Sequence, residues 1–323
     1  MKPIIDQLKN SKQVLVTTHK NPDGDAIGSL VAMGQSLTRM GKQVTMYNDS
    51  PIPAVYRFLP AVHQVQRSFP QNDGYDTAVV LDCGNLARIG DAAKEVGRIP
   101  SVINIDHHVT NSEFGQLRYI DTEASATAEI LWRLFKEMGA PIDRDIATAI
   151  YTGILTDTGS FRFSNTTRTS FAICEETVAL GVDPYNVAKH VYGTYSLGRI
   201  KLLNLALNSI ELSPNGKLSM MILTHRMMEQ TRTRPEDVDG LINYARSIEG
   251  VRIAALIQEN NNGHDPGASD NHFNISLRSD GSVDVARFAA KYGGGGHASA
   301  AGCSVEIPLT KIKSELTRLA ESL

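Results

Sequence analysis

The segment Val14-Leu15-Val16-Thr17-Thr18-His19-Lys20-Asn21-Pro22-Asp23-Gly24-Asp25 decides the fold. Its first half is apolar and β-branched, which predicts a buried strand over 13–18. Pro22 and Gly24 then break the strand. From Gly24 to about Met40 the residues Ile27, Leu30, Val31, Gly34 and Leu37 line one face at helical spacing, and Gly41 stops the helix. The same device recurs twice. Val79-Val80-Leu81 runs into Asp82, and Val102-Ile103-Asn104-Ile105 runs into Asp106-His107-His108. A parallel sheet delivers the residues after its strands to one edge, where open α/β sheets bind ligands. Three Asp/His clusters at one edge read as a metal site.

Working outward, strands are expected over Lys42–Tyr47, Thr77–Asp82 and Ser101–Ile105, with helical stretches between them. That alternation defines an α/β domain with a doubly wound, mainly parallel sheet. From Ala124 the pattern turns helical: Ala124–Met138, Asp143–Thr156 and Thr167–Leu180, with Asp183-Pro184 opening another helix. A helix over Ser196–Leu207 reads as closing this first domain. A smaller α+β domain follows, with strands over Gly216–Leu223, Val251–Glu259 and Phe273–Arg278. It carries a helix over Pro235–Ile248 and ends in a helix over Leu309–Leu323. The polar, turn-rich stretch 260–271 predicts a long exposed hairpin loop. The expected division is a first domain over 1–190, a linker helix over 191–215 and a second domain over 216–323.

Composition narrows the class. The chain has 323 residues, 41% hydrophobic and 21% charged, with a net charge of −3. A protein that coats long DNA is usually basic, so a nucleic-acid substrate is expected to be short or held locally. Cys83, Cys174 and Cys303 are scattered and odd in number, which suggests neither a zinc ribbon nor a disulfide framework. The N-terminus lacks the apolar core of a signal peptide. There is no apolar run of about 18 residues. A cytoplasmic protein with reduced thiols and no membrane partner is expected.

The clusters differ in what they say alone. Asp23 and Asp25 place two carboxylates in one turn, where they repel unless a cation relieves them. Helix capping explains one Asp but neither both nor His19. Asp82 by itself is an ordinary turn residue, and gains weight from sharing an edge with the first cluster. Adjacent His107 and His108 cannot point the same way: one can bind metal while the other faces substrate. Asp106 suits an orienting carboxylate behind them. Asp157 ends a helix, where its charge opposes the helix dipole and needs compensation. Near the C-terminus, Gly293-Gly294-Gly295-Gly296 can bring backbone N–H groups against an anion, His297 adds a side-chain donor, and Ala298–Gly302 are small residues that leave room. Arg278 sits at the end of the Asn274–Leu277 strand, a position that a solvated arginine also takes.

His19-x-x-x-Asp23-x-Asp25, Asp82, Asp106-His107-His108, Asp157 and Gly293–His297 together resemble the motifs of the DHH/DHHA1 phosphoesterase family, in order and spacing along nearly the whole chain. The resemblance implies a two-metal centre. His19 and Asp23 would hold one ion, Asp25, His107 and Asp157 the other, and Asp82 would bridge both. Mixed carboxylate and imidazole donors suit Mn²⁺ best, ahead of Mg²⁺, Co²⁺ or Zn²⁺. The two ions would activate a hydroxide that attacks phosphorus. His108 would face substrate, with Arg278, Gly294, Gly295, Gly296 and His297 gripping it from the second domain, across a cleft.

The implied activity is degradation of short oligoribonucleotides to mononucleotides and dephosphorylation of 3′-phosphoadenosine 5′-phosphate (pAp) to AMP. A homodimer is also implied. The same scaffold could serve a cyclic-dinucleotide or pApA phosphodiesterase. A manganese pyrophosphatase would lack the glycine–histidine segment, and a nuclease for long single strands needs domains this length does not hold. A non-catalytic nucleotide-binding regulator would be expected to have lost a ligand, and none of the six positions departs from the pattern.

Overall fold

The computed structural model describes residues 1–69, 74–193, 195–260, 272–321 and 323. The chain forms two compact units, Met1–Thr194 and Tyr195–Leu323.

The first unit runs α1 (Lys2–Asn10), β1 (Gln13–Thr18), α2 (Gly24–Arg39), β2 (Gln43–Tyr47), β3 (Thr77–Leu81), α3 (Ala93–Val96), β4 (Ser101–Asp106), β5 (Leu117–Ile120), α4 (Thr127–Met138), α5 (Arg144–Asp157), α6 (Arg168–Ala179) and α7 (Pro184–Tyr192). Its sheet has the order β2-β1-β3-β4-β5, and every pairing is parallel. The apolar runs are continuous because the central strands are buried on both faces. Val14, Val16, Val79, Leu81, Ile103 and Ile105 join α2, α4 and α5 in one core. Leu15, Ala78, Val80 and Val102 turn to a second core on the other face. The chain leaves β1 toward β2 on one side and reaches β3 on the other. That reversal opens a crevice at the carboxyl ends of β1 and β3, the place where such sheets take ligands. The strand β5 escaped the sequence reading: it is four residues long and only half-buried, so it lacks an apolar run.

The second unit runs α8 (Leu197–Asn208), β6 (Glu211–Leu212), β7 (Leu218–Leu223), α9 (His225–Thr231), α10 (Ile242–Arg246), β8 (Ile253–Glu259), β9 (His272–Ser279), α11 (Val285–Ala290), β10 (Gly295–His297), β11 (Ala300–Glu306) and α12 (Leu309–Ala320). Its six-stranded sheet has the order β10-β11-β9-β8-β7-β6. One face buries Ile253, Ala255, Phe273, Ile275, Leu277, Ala301 and Val305 with residues of α11 and α12. Ala254 and Leu256 face the opposite way, with Leu202, Val238 and Ile242.

Four sequence expectations change here. The helix expected to close the first domain, α8, buries Leu202 and Ala206 against Met221 and Leu223 of the second unit. The helix expected over Pro235–Ile248 is a 3₁₀ turn over Pro235–Val238 and the short α10; Gly240, at φ +79°, separates them. The small residues after His297 form the start of β11 rather than open space. Arg278 lies inside β9, which continues to Ser279. The 260–271 loop, apart from Asn260, lies outside the described residues.

Candidate metal centre

All four acidic or histidine clusters arrive at the carboxyl edge of the first sheet or at the end of a helix beside it. His19 follows β1, Asp82 follows β3, Asp106 ends β4 ahead of His107 and His108, and Asp157 is the last residue of α5. Asp82 stands in the left-handed backbone region, at φ +52°, which costs a non-glycine residue about 1–3 kcal/mol and persists only where surroundings enforce it. Its amide donates to the Ile105 carbonyl at 3.0 Å, so the parallel ladder holds the turn.

Asp82 is the hub. Its Oδ2 lies 3.6 Å from His19 Nε2, and its Oδ1 lies 3.6 Å from His107 Nε2. His107 Nε2 is also 3.6 Å from Asp157 Oδ2. Donor atoms of His19, Asp23 and Asp82 fall within 4.8 Å of one another, as do those of Asp25, Asp82 and His107. The two groups share one residue, and it offers a different oxygen to the histidine of each.

The histidines are set for ligation. His19 Nδ1 lies 2.9 Å from the Lys20 carbonyl, and His107 Nδ1 lies 3.2 Å from the Ala124 carbonyl. A carbonyl only accepts, so each Nδ1 carries a proton, and each Nε2 faces the carboxylates. His108 is held by a carboxylate in place of a carbonyl. Its Nδ1 donates to Asp106 Oδ1 at 2.6 Å. The second Asp106 oxygen accepts from Asn111 Nδ2 at 2.5 Å, and Asn111 Nδ2 also lies 2.9 Å from Asn104 Oδ1. Asn104 and Asp106 are fully buried. Asp106 is thus committed to protein partners through both oxygens.

The capping reading holds as well. Asp23 caps its own helix, accepting from the Ala26 amide at 3.0 Å. Asp25 caps a different one. The residue before helix α4 is Ala126, which has no side chain able to cap it. Asp25 Oδ2 and Oδ1 accept instead from the Thr127 and Ala128 amides, at 2.6 and 2.9 Å. A carboxylate has about four acceptor sites, so capping and ligation coexist. Gly153 makes room for this contact: a Cβ there would sit 2.8 Å from Asp25 Oδ1.

The electrostatics describe crowded charge. Burial and the Asp82 and Asp157 charges hold the Asp25 pKa well above the carboxylate range. Burial, together with Asp23 and Asp82, pushes Asp157 up to about 7 against the pull of His107. Burial also works to raise Asp82, but the His19 hydrogen bond and the His108 and His107 charges outweigh it and hold Asp82 well below the usual range. Burial lowers His107, yet Asp157, Asp82 and Asp25 carry it up to about 9. Buried carboxylates that press each other's pKa upward, beside imidazoles whose Nε2 atoms face them, form a donor set that a divalent cation fits.

In the second unit, Gly293–His297 is neither a linker nor a loose loop. Gly295–His297 forms β10, antiparallel to Ala300–Gly302 of β11. The glycines permit close backbone approach: a Cβ on Gly294 would lie 2.2 Å from the Gly302 carbonyl oxygen. Gly296, at φ +141°, would bring a Cβ within 2.4 Å of the Ala300 oxygen. His297 pairs with Ala300, and Ala300 pairs with Arg278. Directly opposed residues project to the same face of a sheet, so His297 and Arg278 flank a small alanine on one face. Both side chains are half-buried. Sequence reasoning did not find Thr127, Asn104 or Asn111, which reach the cluster from a helix start, a strand interior and a loop.

These features define a candidate divalent-metal centre at the carboxyl edge of a parallel sheet, and the chain's relatives place it among phosphoesterases. Residues 13–154 match the DHH family, N-terminal domain, and residues 219–322 match the DHHA1 domain. The chain belongs to the DHH phosphoesterase family, with a DHHA1 domain following the DHH domain. It is similar to the bifunctional oligoribonuclease and PAP phosphatase NrnA of Thermus thermophilus, with 31% identity over 94% of this chain and 90% of that one. Similarity to the protein of the same name from Bacillus subtilis is 28%, over 90% of this chain and 89% of the relative. Among solved structures, an exopolyphosphatase-related protein from Bacteroides fragilis superposes with a TM-score of 0.89 at 26% identity, covering 100% of this chain and 96% of its own.

Proposed function

We propose that this chain is a two-metal phosphohydrolase that degrades short oligoribonucleotides to mononucleotides and dephosphorylates pAp to AMP. The observation that carries the reading is the pair of donor groups meeting at Asp82, one oxygen toward each. The named activities of the relatives in Thermus and Bacillus, which align over nearly their whole length, support the substrate class.

His19, Asp23 and Asp82 would hold one ion, and Asp25, Asp82, His107 and Asp157 the other. Mn²⁺ suits this mixture of carboxylate and imidazole donors. What such ions supply when bound is positive charge against the phosphoryl oxygens and a water acidic enough to lose its proton near neutral pH. Asp106 is read as an orienting carboxylate and not as a ligand: its Oδ1 accepts from His108 Nδ1 and its Oδ2 from Asn111 Nδ2. It fixes the ring of His108 instead, leaving Nε2 as the nitrogen that contacts the substrate phosphate.

In the second unit β10 is the last strand of its sheet. An edge strand presents backbone N–H groups outward; here they would come from Gly295–His297, since the Gly293 and Gly294 amides donate to the Ala290 and Ala289 carbonyls. With His297 and Arg278 on one sheet face, this edge would grip the nucleotide, and residues 1–190 and 216–323 would divide catalysis from substrate binding.

The test is release of AMP from pAp and of mononucleotides from a 5′-labelled RNA ladder by metal-stripped protein reloaded with Mn²⁺. Activity on both substrates is expected. A folded, Mn²⁺-loaded protein inert toward both would end this reading.

A further inference from the structure

Thr127 is the first residue of α4 and fully buried. Its amide donates to Asp25 Oδ2 at 2.6 Å. Its hydroxyl Oγ1 lies 3.0 Å from Asp82 Oδ1. A carboxylate cannot donate, so the hydroxyl does. One side chain and its own backbone therefore hold two carboxylates that lie 57 positions apart in sequence, as 82 minus 25.

The hydroxyl bond matters because of how an aspartate rotates. The torsion that turns a carboxylate plane is broad and roughly two-fold, so backbone position alone does not fix which oxygen faces which way. At Asp82 the Thr127 hydroxyl fixes Oδ1 on the side of His107, 3.6 Å away. Oδ2 is then left on the side of His19, also at 3.6 Å. We propose that Thr127 is a positioning residue for the metal centre: it locks the Asp82 carboxylate so that one oxygen serves each donor group, and it ties that orientation to the placement of Asp25. The inference rests on the two-metal reading given above. Partners that orient metal ligands in this way are commonly worth 10- to 100-fold in metal affinity.

Thr127→Val keeps the amide bond to Asp25 and the side-chain shape but removes the hydroxyl. Mn²⁺ titration calorimetry on the stripped, full-length protein is expected to show two ions in the wild type. In Thr127→Val, one ion should weaken by at least about tenfold. Thr127→Ser, which retains the hydroxyl, should restore both. Metal-induced gain in melting temperature should shrink in Thr127→Val beyond any loss seen in the stripped protein. If Thr127→Val does not fold, Thr127→Ala carries the same expectation. Two wild-type-strength ions in a folded hydroxyl-less variant would overturn the positioning role, as would equal destabilisation of stripped and loaded forms. Fewer than two ions in the wild type would overturn the two-metal reading itself, and this inference with it.

Discussion

The carboxyl edge of the first sheet and the β10 edge of the second solve different problems with different means. At the first, the donor groups are all side chains. Asp82, Asp25 and Asp106 are buried, and each is held by partners from other elements. At the second, the backbone does most of it. Three residues of β10 lie on β11, a Cβ on Gly294 or Gly296 would collide with that strand, and β10 ends the sheet. The difference teaches where precision is needed. Charge that must be placed to a fraction of an ångström calls for interlocked, buried groups. The grip on related phosphates proposed for this edge would need only N–H donors and two flanking side chains.

The comparison breaks most sharply at Asp82. Asp82→Ala removes the shared carboxylate, and losing several kcal/mol of charge stabilisation lowers kcat on the order of 10³-fold for every substrate. Initial rates on pAp and a dinucleotide check this, and near-wild-type turnover would refute the shared ligand. Asn111→Ala acts at one remove. Loosening Asp106 behind His108 should cost about 10- to 100-fold in kcat with KM little changed; a KM effect alone would place Asn111 in substrate binding. At the other edge the signature inverts. His297→Ala should raise KM by about tenfold, the weight of one hydrogen bond to a charged group, and leave the chelator-induced fall in melting temperature unchanged. A changed metal response would erase the division of labour.

The smallest effect concerns thiols. Burial pushes Cys83 up to about 12 and Cys303 up to about 11. Cys303, 8% exposed at the margin of the second unit's core, follows the β11 residues that pair with β10 and would have its Cβ 2.5 Å from a Cβ on Gly294, whereas Cys83 is fully buried in the first unit. Opening a short edge strand costs less than opening a core. Iodoacetamide should therefore label Cys303 faster than Cys83 in the native protein, read by mass spectrometry. Equal rates would show that the β10 edge is as rigid as the metal centre.

Much of the first region was legible in the sequence because its logic is local. An apolar run that stops at an aspartate announces a strand end, and three such stops predict a shared sheet edge. What stayed hidden is non-local. Ala126 gives no sign that α4 needs a cap from elsewhere, and Asp25 gives no sign that it supplies one across 102 positions. Thr127 looks like any threonine at a helix start. Asn111 is one more turn residue until Asp106 is seen beside it. In the second region, glycine and alanine announced room or flexibility, and the structure spends them on strand contact. Gly240 was passed over inside a helical pattern that its positive φ interrupts.

The central claim is that two metal ions share Asp82. Counting Mn²⁺ bound per chain in wild type and Asp82→Ala, by calorimetry with the spin-coupled electron paramagnetic resonance signal as a second readout, tests it most directly. The account predicts two coupled ions in the wild type and loss of the coupled pair in the variant. Two ions retained in folded Asp82→Ala, with the coupling intact, would contradict it.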